Sequence, residues 1–166
     1  MAKIKQEELI EYLIDRVNAQ IETAVRTFQS LDEKRLDKPA ENGGWSIAQC
    51  LWHLNSYGDF YIPEIEKAFE SSDNFPDSRF KSGFLGNFFA TQMLPRERLN
   101  KMRTFSNKNP IGIALNKTTL ERFIAQQEQL LVLLDKSKNL NLNKTKIPVS
   151  FSQRFKLKLG DTFRFL

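Results

Sequence analysis

The chain is poor in cysteine and has no long run of apolar residues. Cys50 is its one cysteine, so no disulfide can form within the chain, which is typical of proteins from reducing compartments. The longest apolar run, Leu130 to Leu134, is far shorter than the roughly 20 residues of a membrane-spanning helix. Residues 1–8 lack the apolar stretch of a secretory signal peptide. With 166 residues, 40% of them hydrophobic, the sequence predicts one cytoplasmic domain, residues 1–166, without a membrane span.

Histidine is equally scarce, because His53 is the only one in the chain. Serine and cysteine nucleophiles are usually activated by a neighbouring base, and the sequence shows no Gly-x-Ser-x-Gly, no phosphate-binding glycine loop and no Cys-x-x-Cys. Zinc and nickel sites generally need three or four protein ligands, which one imidazole cannot supply. No catalytic residue is therefore predicted from motifs, and His53 stays the main candidate for site chemistry.

Charge is distributed unevenly along the chain, although the net charge is only +5. Residues 1–78 hold 8 Lys/Arg against 15 Asp/Glu, and residues 79–166 hold 17 against 5, so the halves carry −7 and +12. A basic half can mark a nucleic-acid surface. The densest basic group consists of Arg96, Arg98, Lys101 and Arg103. Lys/Arg runs are more often solvated, and no RNA-binding or helix-turn-helix pattern is present, so a nucleic-acid partner is disfavoured.

Apolar residues at helical spacing predict three long helices. The first spans Lys5 to Ser30, and the third continues from Thr118 to Lys136. The second begins after Ser46, whose hydroxyl and the Gln49 side chain can form a capping box. Thr118 and Glu121 predict a further capping box, whereas Pro63 should kink or divide the second helix. Trp45 is expected to pack on Cys50 as a hydrophobic staple.

The remaining segments are less regular. Residues 71–116 contain several prolines, glycines and phenylalanines, which predict a long crossover that buries its rings on the helices, with a short helix over Gly83 to Met93. Residues 147–155 are expected to be extended or irregular. Gly160 or Asp161 should cap a new helix, of which the sequence contains only about the first turn. We therefore expect the chain to be cut off in the middle of an element.

Two sequence motifs carry a resemblance to a known family. They are Trp45-Ser46-Ile47-Ala48-Gln49-Cys50-Leu51-Trp52-His53-Leu54 and Leu159-Gly160-Asp161, separated by the crossover and the third helix. In this order they resemble the DinB-like family. The resemblance implies an all-α, four-helix up-down bundle with a long crossover between helices 2 and 3, and a truncated fourth helix. It also implies that His53 is the first metal ligand, but the family's His-x-x-x-His pair on the fourth helix has no counterpart before Leu166.

The resemblance implies a metal-dependent enzyme, either a thiol-dependent transferase or a hydrolase-like protein. Zinc or nickel would be bound only if residues outside this chain completed the site, and the expected partners are a small-molecule substrate or low-molecular-weight thiol and a second copy in a homodimer. A site of Cys50, His53 and the Glu64 carboxylate, flanked by Tyr57, is an alternative, since these residues share one side of the second helix.

Two interpretations without chemistry stay open beside these. His53 can be a structural residue at the helix interface, hydrogen-bonded to a backbone carbonyl or to Gln126 or Gln127. Cys50 at the edge of the apolar stripe can be a small core residue. The protein would then be a non-catalytic helical bundle that acts as a binding or dimerisation module.

Overall fold

The computed structural model describes residues 3–94 and 103–166. Within these ranges the helices are α1 (Gln6–Thr23), α2 (Glu33–Leu36), α3 (Ile47–Ser71), α4 (Phe84–Met93), α5 (Thr118–Lys136) and α6 (Leu159–Phe165). A π-helical turn, Ala24–Phe28, extends α1, and 3-10 turns cover Ser106–Lys108 and Ser137–Asn139. The strands are β1 (Ile4–Lys5), β2 (Arg79–Phe80), β3 (Lys146–Val149) and β4 (Ser152–Lys158). The fold is mostly helical, as predicted.

The three long helices form the centre of the molecule, where α5 packs against both α1 and α3. Their apolar stripes bury the main core, in which Ile10, Ile65 and Leu134 are almost completely enclosed. A smaller cluster around Leu51 and Phe123 lies toward the start of α3 and α5. Burial of such side chains, at about 1.5–3 kcal/mol each, is the main stabilising contribution.

The start of α3 follows its sequence signal. Ser46 Oγ accepts the Gln49 N–H at 3.1 Å, and Gln49 Oε1 accepts the Ser46 N–H at 3.0 Å, which confirms the predicted capping box. Pro63 does not divide the helix, which runs without interruption for 25 residues. Proline removes only one intrahelical hydrogen bond, and the packing of Ile62 and Ile65 in the core offsets that loss.

The start of α5 differs from its prediction. Lys117 occupies the cap position without a side-chain bond, so Thr118 already lies inside the helix and the predicted box with Glu121 is wrong. Asn116 Oδ1 accepts the Thr118 N–H at 3.0 Å instead. The cap of α6 is also different, since this helix begins at Leu159 with Lys158 in the cap position and not at Gly160 or Asp161.

Two small antiparallel sheets accompany the helices of this mostly helical fold. Strand β1 pairs with β2, with Ile4 opposite Phe80, and so ties the beginning of α1 to the crossover. Strands β3 and β4 form a hairpin with Ile147 opposite Leu157, in the region that was expected to be extended or irregular. This backbone pairing gives hydrogen-bond partners to N–H and C=O groups of segments that lie outside the long helices.

The crossover from α3 to α5 contains β2, α4 and the 3-10 turn at Ser106–Lys108. Helix α4 packs against α6 and β4, which places this part of the crossover beside the last element of the chain. Helix α6 has seven residues, so the four-helix up-down arrangement stays a prediction, as does the single-domain organisation. In the two described ranges, no helix combines the length and the apolar character that crossing a membrane requires.

Candidate functional site around His53

His53 lies in the second turn of α3, and the capped start of that helix determines its position. Its side chain is half-buried. The ring nitrogen Nδ1 lies 2.8 Å from the backbone oxygen of Lys108, 55 residues further along the chain. A carbonyl oxygen can only accept, so Nδ1 must donate its proton in this contact. In the neutral imidazole, Nε2 then keeps its lone pair for another proton or a metal ion.

Two aromatic side chains enclose the imidazole. The Trp45 ring centre lies 5.0 Å from that of His53, and Tyr57 meets His53 edge to face at 5.1 Å. Trp45, which was expected to pack on Cys50, therefore has the imidazole as a ring partner. Tyr57 is half-buried, and this burial is the main cause that raises the pKa of its phenol, with Tyr61 adding to it. The phenol thus stays protonated at neutral pH.

Lys108 brings a positive charge to the same place. Its Nζ donates a hydrogen bond to the backbone oxygen of Ser56 and lies 5.1 Å from the centre of the Tyr57 ring. Desolvation lowers the pKa of Lys108, and the nearby Asp59 carboxylate counteracts part of that effect. The site therefore combines one imidazole, one phenol and one partly desolvated ammonium group.

The structure does not bring the other predicted ligands to His53. Glu64 forms an ion pair with Lys67 at 2.7 Å and lines a cleft of about 230 Å³ between α3 and the β3–β4 hairpin. Cys50 is solvent-exposed, so its interpretation as a core residue is wrong. Partial desolvation of the thiol nevertheless raises the pKa of Cys50, so its sulfur stays protonated at neutral pH.

Glutamine residues do not bind His53 either. Gln126 Nε2 donates to the Asn55 backbone oxygen at 3.2 Å and to Asp59 Oδ1 at 2.8 Å, which joins α5 to α3. If His53 is a purely structural residue, as one interpretation of the sequence holds, the backbone carbonyl that binds it is that of Lys108. This hydrogen bond is compatible with a structural histidine and also with a metal-binding one, because metal ligands commonly donate their second ring N–H to such an oxygen.

The described residues do not fit a complete metal site. Among residues 3–94 and 103–166, no group of three or more His, Cys, Asp or Glu side chains is placed to hold a metal ion. His53 by itself has the donor chemistry of a zinc or nickel ligand, with Nε2 as the free nitrogen. The geometry therefore supports one ligand and does not supply the others.

A second polar cluster, which sequence analysis singled out only as a possible helix cap, lies between α4 and α6. Asp161 is 1% exposed, and its carboxylate accepts the Gly83 N–H at 2.8 Å and the Ser82 hydroxyl. Arg164 forms an ion pair with the same carboxylate at 3.3 Å. The Leu-Gly-Asp sequence was the available signal, but the partner residues lie almost 80 positions away. This cluster joins the crossover to the last helix.

Of the basic group considered for nucleic acid, Arg96, Arg98 and Lys101 lie outside the described residues, and Arg103 is exposed. The described part of the chain thus contains only one exposed arginine of this basic group, and nucleic-acid binding stays an untested hypothesis.

Comparison with known proteins identifies the family of the chain. The sequence profile of the DinB superfamily matches residues 16–166, and the chain belongs to this superfamily. A curated protein of Bacillus mycoides (strain KBAB4), named as a putative metal-dependent hydrolase, is 33% identical over 66 residues. That match includes 37% of this chain and 38% of the relative, so the matched part is less than two-fifths of either protein. No solved structure shows a significant match.

Proposed function

We propose that the protein is a metal-dependent enzyme of the DinB superfamily in which His53 supplies one ligand through Nε2. The hydrogen bond from Nδ1 to the Lys108 carbonyl is the observation that carries this proposal. It holds the ring in one orientation and leaves the other nitrogen free, which is the arrangement that metal-binding histidines usually have. The remaining ligands would come from groups outside the described residues.

The class of reaction rests on the comparisons. The superfamily assignment and the name of the Bacillus mycoides relative support a hydrolase-like reaction, and a thiol-dependent transferase is the alternative. Zinc and nickel are the proposed metals, because both accept imidazole nitrogen. A bound divalent ion would supply Lewis acidity. The chain's own residues would contribute the orientation of His53 between two aromatic rings and a positive charge at Lys108.

Metal content tests this proposal. The protein should be produced from its native gene, purified without chelators and analysed for metals by mass spectrometry. We expect close to one zinc or nickel ion per chain in the wild type and a loss of most of it in His53→Ala, because a divalent ion is held weakly once a ligand is removed.

Leu54→Ala is the matched control, since this neighbouring side chain on α3 is half-exposed and has no donor atom. It should retain the metal of the wild type. A metal-free wild type, or a His53→Ala protein with full metal content, would contradict the proposal.

A second candidate function has its own observation. Several aromatic side chains of α4, the crossover and the hairpin are exposed, and Phe84 is 80% exposed. The ring of Phe151 stacks on that of Phe105 at 5.6 Å and meets Phe89 at 6.3 Å, so these rings form one surface cluster.

Exposed apolar patches mark interaction surfaces. We propose that a non-catalytic role in homodimerisation is the alternative, and light scattering of a Phe151→Ser, Phe105→Ser variant would test it. A wild type that is monomeric at all concentrations would reject this alternative.

A further inference from the structure

The 3-10 turn at Ser106–Lys108 contacts α3 through both the main chain and the side chain of one residue. The Lys108 carbonyl accepts the proton of His53 Nδ1 at 2.8 Å. The Lys108 ammonium binds the Ser56 carbonyl one turn further along α3 and lies over the Tyr57 ring. Lys108 of the crossover therefore contacts α3 at two points that lie about one turn apart, and one of them is His53.

The side chain of Lys108 is the stronger of these two attachments. The turn is closed by its own backbone bonds, from the Lys108 N–H to Phe105 at 2.9 Å and from the Asn109 N–H to Ser106 at 3.3 Å. These bonds give the turn its shape but do not hold it against α3. A charged donor on a carbonyl forms a stronger bond than a neutral one, and the cation over the Tyr57 ring adds to it.

The carbonyl contact determines which ring nitrogen of His53 carries the proton. If the proton were on Nε2, the Nδ1 lone pair would face the Lys108 oxygen at 2.8 Å, and two acceptors would repel each other. Both tautomers of a neutral imidazole are populated in water, so a fixed acceptor on one side changes their ratio.

We propose that Lys108 is a positioning residue, whose side chain anchors the 106–108 turn to α3 so that its carbonyl holds His53 as the Nδ1–H tautomer. Nε2 is then the only ring nitrogen available to a metal ion. The inference rests on the proposed function for the use that is made of Nε2, but the tautomer itself can be measured without metal.

The single histidine makes the test direct. Long-range 1H–15N spectra of uniformly 15N-labelled, metal-free protein contain one imidazole, that of His53, and report which nitrogen is protonated. At about pH 8.5, where histidine side chains are ordinarily neutral, the wild type should show a protonated Nδ1 and an unprotonated Nε2. In Lys108→Ala, we expect the tautomer ratio to shift toward Nε2–H by about fivefold, the factor that one ordinary hydrogen bond is worth.

Two further variants make the result specific. Lys108→Arg keeps a donor for the Ser56 carbonyl and a cation over the Tyr57 ring, so it should restore the Nδ1–H tautomer. Lys67→Ala removes another lysine ammonium that is hydrogen-bonded at α3, that of the exposed pair with Glu64, and should leave the His53 spectrum unchanged. Circular dichroism of each variant shows that the helices are intact.

Failure of this inference is distinct from failure of the proposed function. A wild type with the Nε2–H tautomer, or a Lys108→Ala protein with the wild-type tautomer ratio and intact helices, would overturn the positioning role. A wild type that has the Nδ1–H tautomer, loses it in Lys108→Ala and binds no metal would support the positioning role and contradict the proposed function alone.

Discussion

At the scale of single residues, two polar side chains form hydrogen bonds that join distant segments of the chain. His53 binds a carbonyl 55 positions away, and Asp161 binds Ser82 and Gly83 in the crossover. The identity of His53 as a candidate was predictable, because it is the one histidine in the chain. Its partner was not, since hydrogen bonds over such separations leave no periodic pattern in the sequence.

Asp161 should be a large contributor to stability. Replacement by Ala leaves the Gly83 N–H and the Arg164 guanidinium without their buried acceptor, so we expect Asp161→Ala to lower the free energy of unfolding by about 2–4 kcal/mol. Urea denaturation followed by circular dichroism measures this change. Asp135→Ala is the control, because its pair with Lys138 is exposed and weakened by solvent, so its removal should cost far less stability. Equal losses in the two variants would contradict the importance of the buried network.

At the scale of elements, the long helices could be predicted from local sequence patterns, whereas the short strands could not. The stripes of α1 and α5 and the capping box of α3 are set by residues within three or four positions of one another, which makes them readable. Strand β1 has two residues and pairs with β2 across about 75 positions, so no alternation is available to predict it. The cap of α5 was missed because Asn116 Oδ1 accepts the Thr118 N–H, which the predicted box assigned to the Glu121 side chain.

The close approach of α4 and α6 depends on the absence of a side chain at Gly86. A Cβ at this position would lie 2.3 Å from Asp161 Cγ, and Asp161 cannot move because its carboxylate is fixed by hydrogen bonds. Alanine gains about 1 kcal/mol of helix propensity, but overpacking costs about 1–3 kcal/mol and the Asp161 bonds are strained as well. We expect a net loss of stability for Gly86→Ala in thermal and urea denaturation.

Gly83→Ala is the matched variant for this comparison. Its Cβ would meet Asp161 at 3.4 Å, an ordinary contact, and the N–H that Asp161 accepts is retained. The expected cost is about 1 kcal/mol or less, from the weaker N-cap preference of alanine. If Gly86→Ala were as stable as the wild type while Gly83→Ala was destabilised, the close packing of α4 on α6 would be contradicted.

At the scale of the whole molecule, the acidic and basic halves of the sequence meet in the fold. Arg122 of the second half pairs with Asp59 of the first. The hydrogen bond to Asp135 is the main cause that raises the pKa of Lys138, but Glu11 and Glu7 of α1 contribute too. The opposite charges of the halves are thus partly compensated in space, which reduces the basic field that the sequence alone indicates.

Nucleic-acid binding should accordingly be weak. We expect no retention of duplex DNA by the full-length protein in a mobility-shift assay at about 0.15 M salt, since screening removes the remaining attraction between exposed charges beyond about 8 Å. Sequence-independent binding that persists at this salt concentration and is lost on neutralising Arg96, Arg98, Lys101 and Arg103 together would contradict this expectation.

The most direct measurement of the proposed site is the 15N imidazole spectrum of His53 during a titration with Zn2+. The protein should come from its native gene, so that every ligand the gene encodes is present. We expect the Nε2 resonance to shift until one equivalent of zinc has been added, while Nδ1 keeps its proton and its bond to the Lys108 carbonyl. Zinc that leaves both ring nitrogens unchanged, or that displaces the proton from Nδ1, would contradict the assignment of Nε2 of His53 as a metal ligand.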